Sequence, residues 1–220
     1  LGDQSPKPAL LLSYWSSSLI VTLPFTCGGI VGIILIFDCQ QQSALQNRAC
    51  VKHLGQKEKT MANFCVFGGA AKGTSEQFTN DAETVGRMLA ARGHKLIYGG
   101  GRTGLMGAVS GGALEASGYV HGIIPYFLES LEVGNHQVQK LDVVENMHER
   151  KAKMYVEADG FIVLPGGLGT MDEWMEVMTW NQLGLLQAPV FVMNTDGFWQ
   201  SLLNMIEHAN NTGFIHSKGV

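Results

Sequence analysis

At 220 residues the chain has the length of one ordinary domain with some to spare. Its 15 Lys and Arg against 19 Asp and Glu give a net charge of −4, which leaves no basic stripe and argues against nucleic-acid binding. The four cysteines, at 27, 39, 50 and 65, form no C-x-x-C pair, so a reducing, cytoplasmic setting fits better than a disulfide framework.

Residues 8–37 carry no charged side chain, and Leu19 to Phe37 is almost wholly apolar. Such a run is long enough to cross a bilayer. Arg48, Lys52, Lys57 and Lys59 outnumber Asp38 and Glu58 behind it, which would put its C-terminal side in the cytoplasm. A secretory signal fits worse, because Pro24-Phe25-Thr26 before Cys27 lacks a small-residue cleavage pattern. Pro24 and the Gly28, Gly29, Gly32 cluster weaken a helix without forbidding one in lipid. Residues 1–60 are expected to be an apolar N-terminal segment, either a membrane anchor on a soluble enzyme or translated sequence upstream of Met61.

From Met61 the pattern becomes regular. Strands are predicted at 63–67, 95–98, 119–123, 141–144, 160–164 and 189–193, with helices at 76–92, 104–117, 146–158, 170–183 and 197–210. In 76–92, Phe78, Ala82, Val85, Met88 and Leu89 share one stripe and belong to the core. Short β-rich runs alternating with amphipathic stretches predict a Rossmann-like three-layer α/β sandwich with a mainly parallel sheet over residues 61–220. Ligands of such sheets sit at the carboxyl ends of the strands.

Three glycine turns follow three of these strands. The first, Gly68-Gly69-Ala70-Ala71-Lys72-Gly73-Thr74, has near P-loop spacing, but Thr74 stands where the phosphate-binding lysine belongs. Ala70 also breaks a G-x-G-x-x-G, and the second strand ends Leu96-Ile97-Tyr98-Gly99 without an acidic ribose partner. A triphosphatase and a nicotinamide dehydrogenase are both disfavoured. The second turn, Gly99-Gly100-Gly101-Arg102-Thr103-Gly104-Leu105-Met106-Gly107, is on its own equally a packing device or a ligand loop.

The third turn is the most informative. Pro165-Gly166-Gly167-Leu168-Gly169-Thr170-Met171-Asp172-Glu173 follows the apolar run Gly160 to Leu164 and leads into a helix predicted to open with Thr170. Amides at a helix start have no internal partner and sit at the positive end of the dipole, so this turn is a phosphate cradle. Glu173 lies on the same helical face as Thr170. Upstream, Met147-His148-Glu149-Arg150-Lys151 starts another helix. It is either a solvated charged helix start or a site in which Arg150 clamps phosphate or orients Glu173.

Together these motifs resemble the signature of the Lonely Guy family of cytokinin riboside 5′-monophosphate phosphoribohydrolases, long mislabelled lysine decarboxylases. The resemblance rests on Gly99-Gly100-Gly101 with Gly104-Leu105-Met106-Gly107, Met147-x-x-Arg150-Lys151, and Pro165-Gly166-Gly167-x-Gly169-Thr170-x-x-Glu173. Thr179-Trp180-Asn181-Gln182-Leu183-Gly184 and Asn194-x-x-Gly197-Phe198 extend it over about 61–216. It implies hydrolysis of the N-glycosidic bond of AMP or an N6-substituted AMP, releasing the base and ribose 5-phosphate, without metal or organic cofactor. By the same resemblance Arg150 and Glu173 are the catalytic pair. Gly166, Gly167, Gly169 and Thr170 would hold phosphate, Gly100 and Gly101 would line the ribose, Met147 would touch the base, and Lys151 would join the binding site. A homodimer or higher homo-oligomer and a short element beyond Val220 are implied too. Membrane contact follows only if residues 8–37 are a real anchor.

The chain departs from that signature in places. Phe67-Gly68-Gly69-Ala70-Ala71 replaces a Cys-Gly-Ser-Ser type turn, Phe78 stands where tyrosine is common, and Leu185-Leu186-Gln187 replaces a His-containing stretch. The seven histidines show no H-x-x-x-H or H-E-x-x-H pairing, which argues against a metal site. No G-x-S-x-G marks a serine nucleophile, and no context around Lys72, Lys95, Lys140, Lys151 or Lys153 marks a pyridoxal lysine. The rival reading is a nucleotide-binding sensor or carrier with this fold and no turnover. Retention of both Arg150 and Glu173 speaks for the enzyme.

Overall fold

The computed structural model describes residues 21–27, 30–37, 61–132 and 134–215. Its centre is one sheet in the order β1-β2-β8-β7-β3-β4-β5-β6. The strands are β1 (Val21–Cys27), β2 (Ile30–Phe37), β3 (Asn63–Phe67), β4 (Lys95–Tyr98), β5 (Val120–Pro125), β6 (Lys140–Val144), β7 (Gly160–Val163) and β8 (Val190–Met193). All pairings among β3 to β8 are parallel, as the sequence predicts. Helices α1 (Glu76–Ala91), α2 (Gly104–Glu115), α3 (Tyr126–Glu132), α4 (Met147–Val156), α5 (Leu168–Gln182) and α6 (Gln200–Asn211) complete the fold.

The period-two alternation of β3 sorts the core into two layers. Phe64 and Val66 pack with Ala82, Val85 and Leu89 of α1 and Leu105 and Val109 of α2. Cys65 and Phe67 face Met154 and Tyr155 of α4, Trp174 and Val177 of α5, and Leu203 of α6. Both faces of the parallel sheet are thereby covered, which near-continuous apolar strands require.

Chain order places the crevice. From β3 the chain winds outward through β4, β5 and β6, then returns to lay β7 on the other side of β3. The strand order reverses there, and ligands of open α/β sheets bind at the carboxyl ends beside such a switch. The glycine turns after β3 and β7 meet at this point, with the Gly69 amide donating to the Pro165 carbonyl at 3.0 Å.

Several boundaries differ from expectation. Helix α3 was not predicted; it has seven residues and begins directly after Pro125, too short to show a helical period. Helix α5 starts at Leu168 rather than Thr170, because Gly169 continues the first turn instead of ending the loop. In the α1 stripe Ala82, Val85 and Leu89 are buried, whereas Phe78 and Met88 are half-buried and Gly86 joins the buried face. Gly86 is there because α2 crosses α1 backbone to backbone.

The apolar N-terminal run supplies two described segments, β1 and β2. They pair antiparallel, and β2 runs parallel to β8 from Ile34↔Val190 to Phe37↔Met193. The rest of residues 1–60 lies outside the described residues, and so does that part of the anchor expectation. Among the described residues no helix is long and apolar enough to cross a membrane.

The helix crossing gives a direct stability test. A Cβ on Gly86 would fall on the Val109 carbonyl oxygen, and one on Gly112 on the Glu83 carbonyl oxygen. Gly86→Ala or Gly112→Ala is expected to cost about 1–3 kcal/mol through forced separation of the helices, read as a lower urea midpoint at an unchanged m-value.

Candidate active site

Helix α4 begins at an Asn146 cap whose side chain accepts from the Glu149 amide at 2.9 Å. This fixes Arg150 in the first turn, from where it reaches across the carboxyl ends of β4 and β5. Its Nε donates to the Ile123 carbonyl at 3.2 Å and its Nη2 to the Gly99 carbonyl at 3.5 Å. Only 7% of Arg150 is exposed. Gly99 is glycine for a steric reason: a Cβ there would overlap Arg150 Nη2.

Opposite lies Glu173, 6% exposed, with Oε1 at 3.5 Å from Arg150 Nη1. Met147 opens α4 and puts its sulfur 3.8 Å from the same Nη1. Sequence spacing left the fate of Arg150 open; the fold brings Met147, Arg150 and Glu173 together.

The third glycine turn borders this pair. Gly167 is the N-cap of α5 and offers no side-chain hydrogen bond, so the first-turn amides of a 15-residue helix are left for another acceptor. A Cβ on Gly167 or Gly169 would meet nothing within 4 Å, so both face open space. Thr170 is buried, and its hydroxyl lies against Gly166 so closely that a Cβ on Gly166 would overlap it. Gly100 and Gly101 sit at the end of β4: the Asn135 amide donates to the Gly100 carbonyl at 3.0 Å, and Gly101 bridges Gly134.

Lys151 goes elsewhere. Its ammonium is held by Asp172 at 3.0 Å and Glu176 at 2.8 Å, both on α5. Asp172 and Glu176 were not singled out from the sequence, and neither was Tyr155, whose hydroxyl donates to Glu176 at 2.8 Å. The signal was present in two i, i+4 pairs of complementary chemistry, Lys151 with Tyr155 and Asp172 with Glu176. Cys65 lies beneath the pair on β3. Burial pushes its thiol well above the ordinary range, with nearby Glu173 adding to the shift and Arg150 opposing it, so it is no nucleophile.

One trio among the described residues has metal-ligand proximity: His121, Asp142 and Glu157. His121 contacts Asp142 at 2.8 Å and Glu157 at 3.0 Å, but Lys153 at 2.7 Å and Lys140 at 3.1 Å already engage the same Asp142 oxygen. Two ammonium groups occupy the ground a metal would need, and the group braces β5, β6 and α4 as an ion-pair network.

The model of the family described as "Possible lysine decarboxylase" matches residues 106–220. Cytokinin riboside 5′-monophosphate phosphoribohydrolase LOG of Oryza sativa subsp. japonica is 43% identical over 73% of this chain and 66% of its own length. The Arabidopsis thaliana enzyme LOG2 is 41% identical over 73% of this chain and 76% of its own, and the Rhodococcoides fascians enzyme is 42% identical over 73% and 81%. The chain belongs to the Lonely Guy family. Relatives of this family share the fold with more distant proteins. The molybdenum cofactor carrier protein of Chlamydomonas reinhardtii superposes with a TM-score of 0.55 at 21% identity, covering 68% of this chain and 86% of its own. The molybdenum cofactor binding protein of Rippkaea orientalis gives 0.54 at 23% identity, covering 73% and 90%.

The ion-pair network makes an acid-stability prediction. Burial alone would raise the Asp142 carboxyl, but hydrogen bonds from Lys153, Lys140 and His121 outweigh it and hold it well below the usual range. A carboxylate lowered in the folded state contributes stability above its unfolded value of about 4 and loses it as pH falls towards the folded value. Thermal midpoints measured from pH 7 downward are expected to show Asp142→Asn well below wild type at neutrality. The gap should narrow below about pH 4.

Proposed function

We propose that the crevice beside β3 and β7 binds a nucleoside 5′-monophosphate and hydrolyses its N-glycosidic bond, with AMP and N6-prenylated AMP as substrates. The observation that carries this reading is the buried pair Arg150 and Glu173, 3.5 Å apart, beside a helix start without a side-chain cap. The names of relatives near 40% identity support the same chemistry.

In this reading the 5′-phosphate docks on the amides that open α5, around Gly166, Gly167, Gly169 and Thr170. Charge and donor geometry both favour an anion there. The ribose then lies over Gly100 and Gly101, and the base reaches towards Met147. Departure of the base leaves positive character on the sugar ring. The Glu173 carboxylate offsets that charge and holds the ribose hydroxyls or the attacking water. Arg150, anchored on the Ile123 and Gly99 carbonyls, aims Glu173 and completes the anion field. Lys151, committed to Asp172 and Glu176, supports the helices in place of touching substrate. Exposed Tyr126, Leu168, Leu183 and Leu185 suit a homo-oligomer, and we read the enzyme as cytoplasmic.

The carrier alternative finds support only in fold neighbours near 20% identity, where the function belongs to the site and not to the fold. Incubating the full chain with AMP or N6-prenylated AMP should release the base and ribose 5-phosphate in equal amounts. Glu173→Gln keeps size and removes charge, and is expected to lower kcat by about 10²–10⁴-fold. Binding of a monophosphate with no release by wild type would establish the carrier instead. Full turnover by Glu173→Gln would remove the catalytic assignment.

Arg150→Lys tests the guanidinium. A lysine keeps the charge but cannot reach two carbonyls and a carboxylate as a planar fork, so kcat/KM is expected to fall about 10²-fold or more. A loss smaller than threefold would mean that charge alone suffices.

A further inference from the structure

Arg150 and Glu173 stand 3.5 Å apart, longer than the roughly 2.7–2.9 Å of a charge-assisted hydrogen bond. Their own contact therefore does not fix their spacing. The residues beside them do make close contacts. Lys151 follows Arg150 in the chain and Asp172 precedes Glu173, and these neighbours pair at 3.0 Å. One turn along α5, Glu176 takes the same ammonium at 2.8 Å. One turn along α4, Tyr155 donates its hydroxyl to Glu176 at 2.8 Å and reaches the backbone carbonyl of Glu173 itself at 3.5 Å.

We propose that Lys151, Asp172, Glu176 and Tyr155 form a clamp between α4 and α5 that sets the separation of Arg150 and Glu173 and does not contact substrate. The proposal rests on the hydrolase reading and adds positioning residues to it. The Lys151–Glu176 side of the clamp is shielded, with side chains 12% and 27% exposed, whereas Asp172 at 59% meets solvent and its pair is screened. Burial works against the Lys151 ammonium, but the hydrogen bonds it donates to Glu176 and Asp172 outweigh it and hold the group above the ordinary lysine range. Burial, with Glu176 beside it, pushes the Tyr155 hydroxyl upward too, so it stays a donor. Lys151 therefore keeps its charge and Tyr155 its proton at any working pH. A displacement of about 1 Å at a reacting pair can cost 10²-fold in rate, which gives such a clamp kinetic weight.

The test uses the full chain and steady-state hydrolysis of AMP by wild type, Lys151→Met, Glu176→Gln, the double variant and Lys151→Arg, with inhibition by inorganic phosphate measured alongside. Tyr155→Phe, which removes one hydroxyl, stands in if either charge variant fails to fold. The clamp predicts that Lys151→Met and Glu176→Gln each lower kcat by about 10–100-fold. KM and phosphate inhibition should stay within about twofold, the double variant should be no worse than the poorer single one, and Lys151→Arg should recover most of kcat. A tenfold or greater rise in KM and in the phosphate inhibition constant for Lys151→Met, with Glu176→Gln like wild type, would make Lys151 a substrate ligand and overturn the proposal. Should wild type lack turnover, the hydrolase reading fails separately, and a crystal structure of Glu176→Gln decides the clamp. A widened Arg150–Glu173 gap supports it, and an unchanged gap overturns it.

Discussion

A guanidinium taken out of water costs several kcal/mol unless its donors are met, and that constraint organises this molecule. Arg150 is met by two backbone carbonyls, Gly99 directly after β4 and Ile123 within β5, and by the Glu173 carboxylate. Each partner belongs to a different element. The parallel order of β4 and β5, the entry angle of α4 and the seating of α5 must all be correct before the charge is satisfied. Asn146 starts α4 at the right residue, and the His121–Asp142–Glu157 network ties that helix to β5 and β6 further along. The cation is thus delivered to the crevice by a rigid mount, with its orientation settled before any ligand arrives.

Much of this was legible in the chain. The strands after Met61 and the alternation that covers both sheet faces follow from apolar runs of four to six residues separated by amphipathic stretches. The glycine turn after β7 could be read as an uncapped helix start from its residue types alone. What stayed hidden was tertiary. Nothing around Met147 to Lys151 says that Arg150 turns inward and Lys151 sideways, because adjacent helical residues differ by about 100° and only the packed neighbours choose. The resemblance implies a catalytic Arg150 and a substrate-binding Lys151, and in the fold the lysine is paired with Asp172 and Glu176 of α5. Helix α3 escaped because seven residues give too little period, and Gly86 because a crossing helix leaves no mark on its partner's sequence.

The comparison with cofactor carriers shows how little the scaffold decides. At about one residue in five identical, those proteins keep the fold, and open α/β sheets form a crevice where the strand order reverses. A crevice of that kind supplies amides and a helix end, which is sufficient for holding an anion. Bond cleavage needs more: a carboxylate placed near the sugar and a second charge to keep it there. In this chain the buried carboxylate of Glu173 and the guanidinium of Arg150 come from helices that flank the same sheet face, and under the proposed function binding and chemistry are built from neighbouring but separable parts.

Gly99 shows how narrow that separation is. The space beside its α-carbon is already filled by the Arg150 guanidinium, so the end of β4 acts as a mould for the cation. Adding one methyl group there would evict the arginine while leaving the glycine turn after β7 untouched. On the proposed function, the distance between a hydrolase and an inert nucleotide holder is a single carbon atom on the backbone behind the arginine.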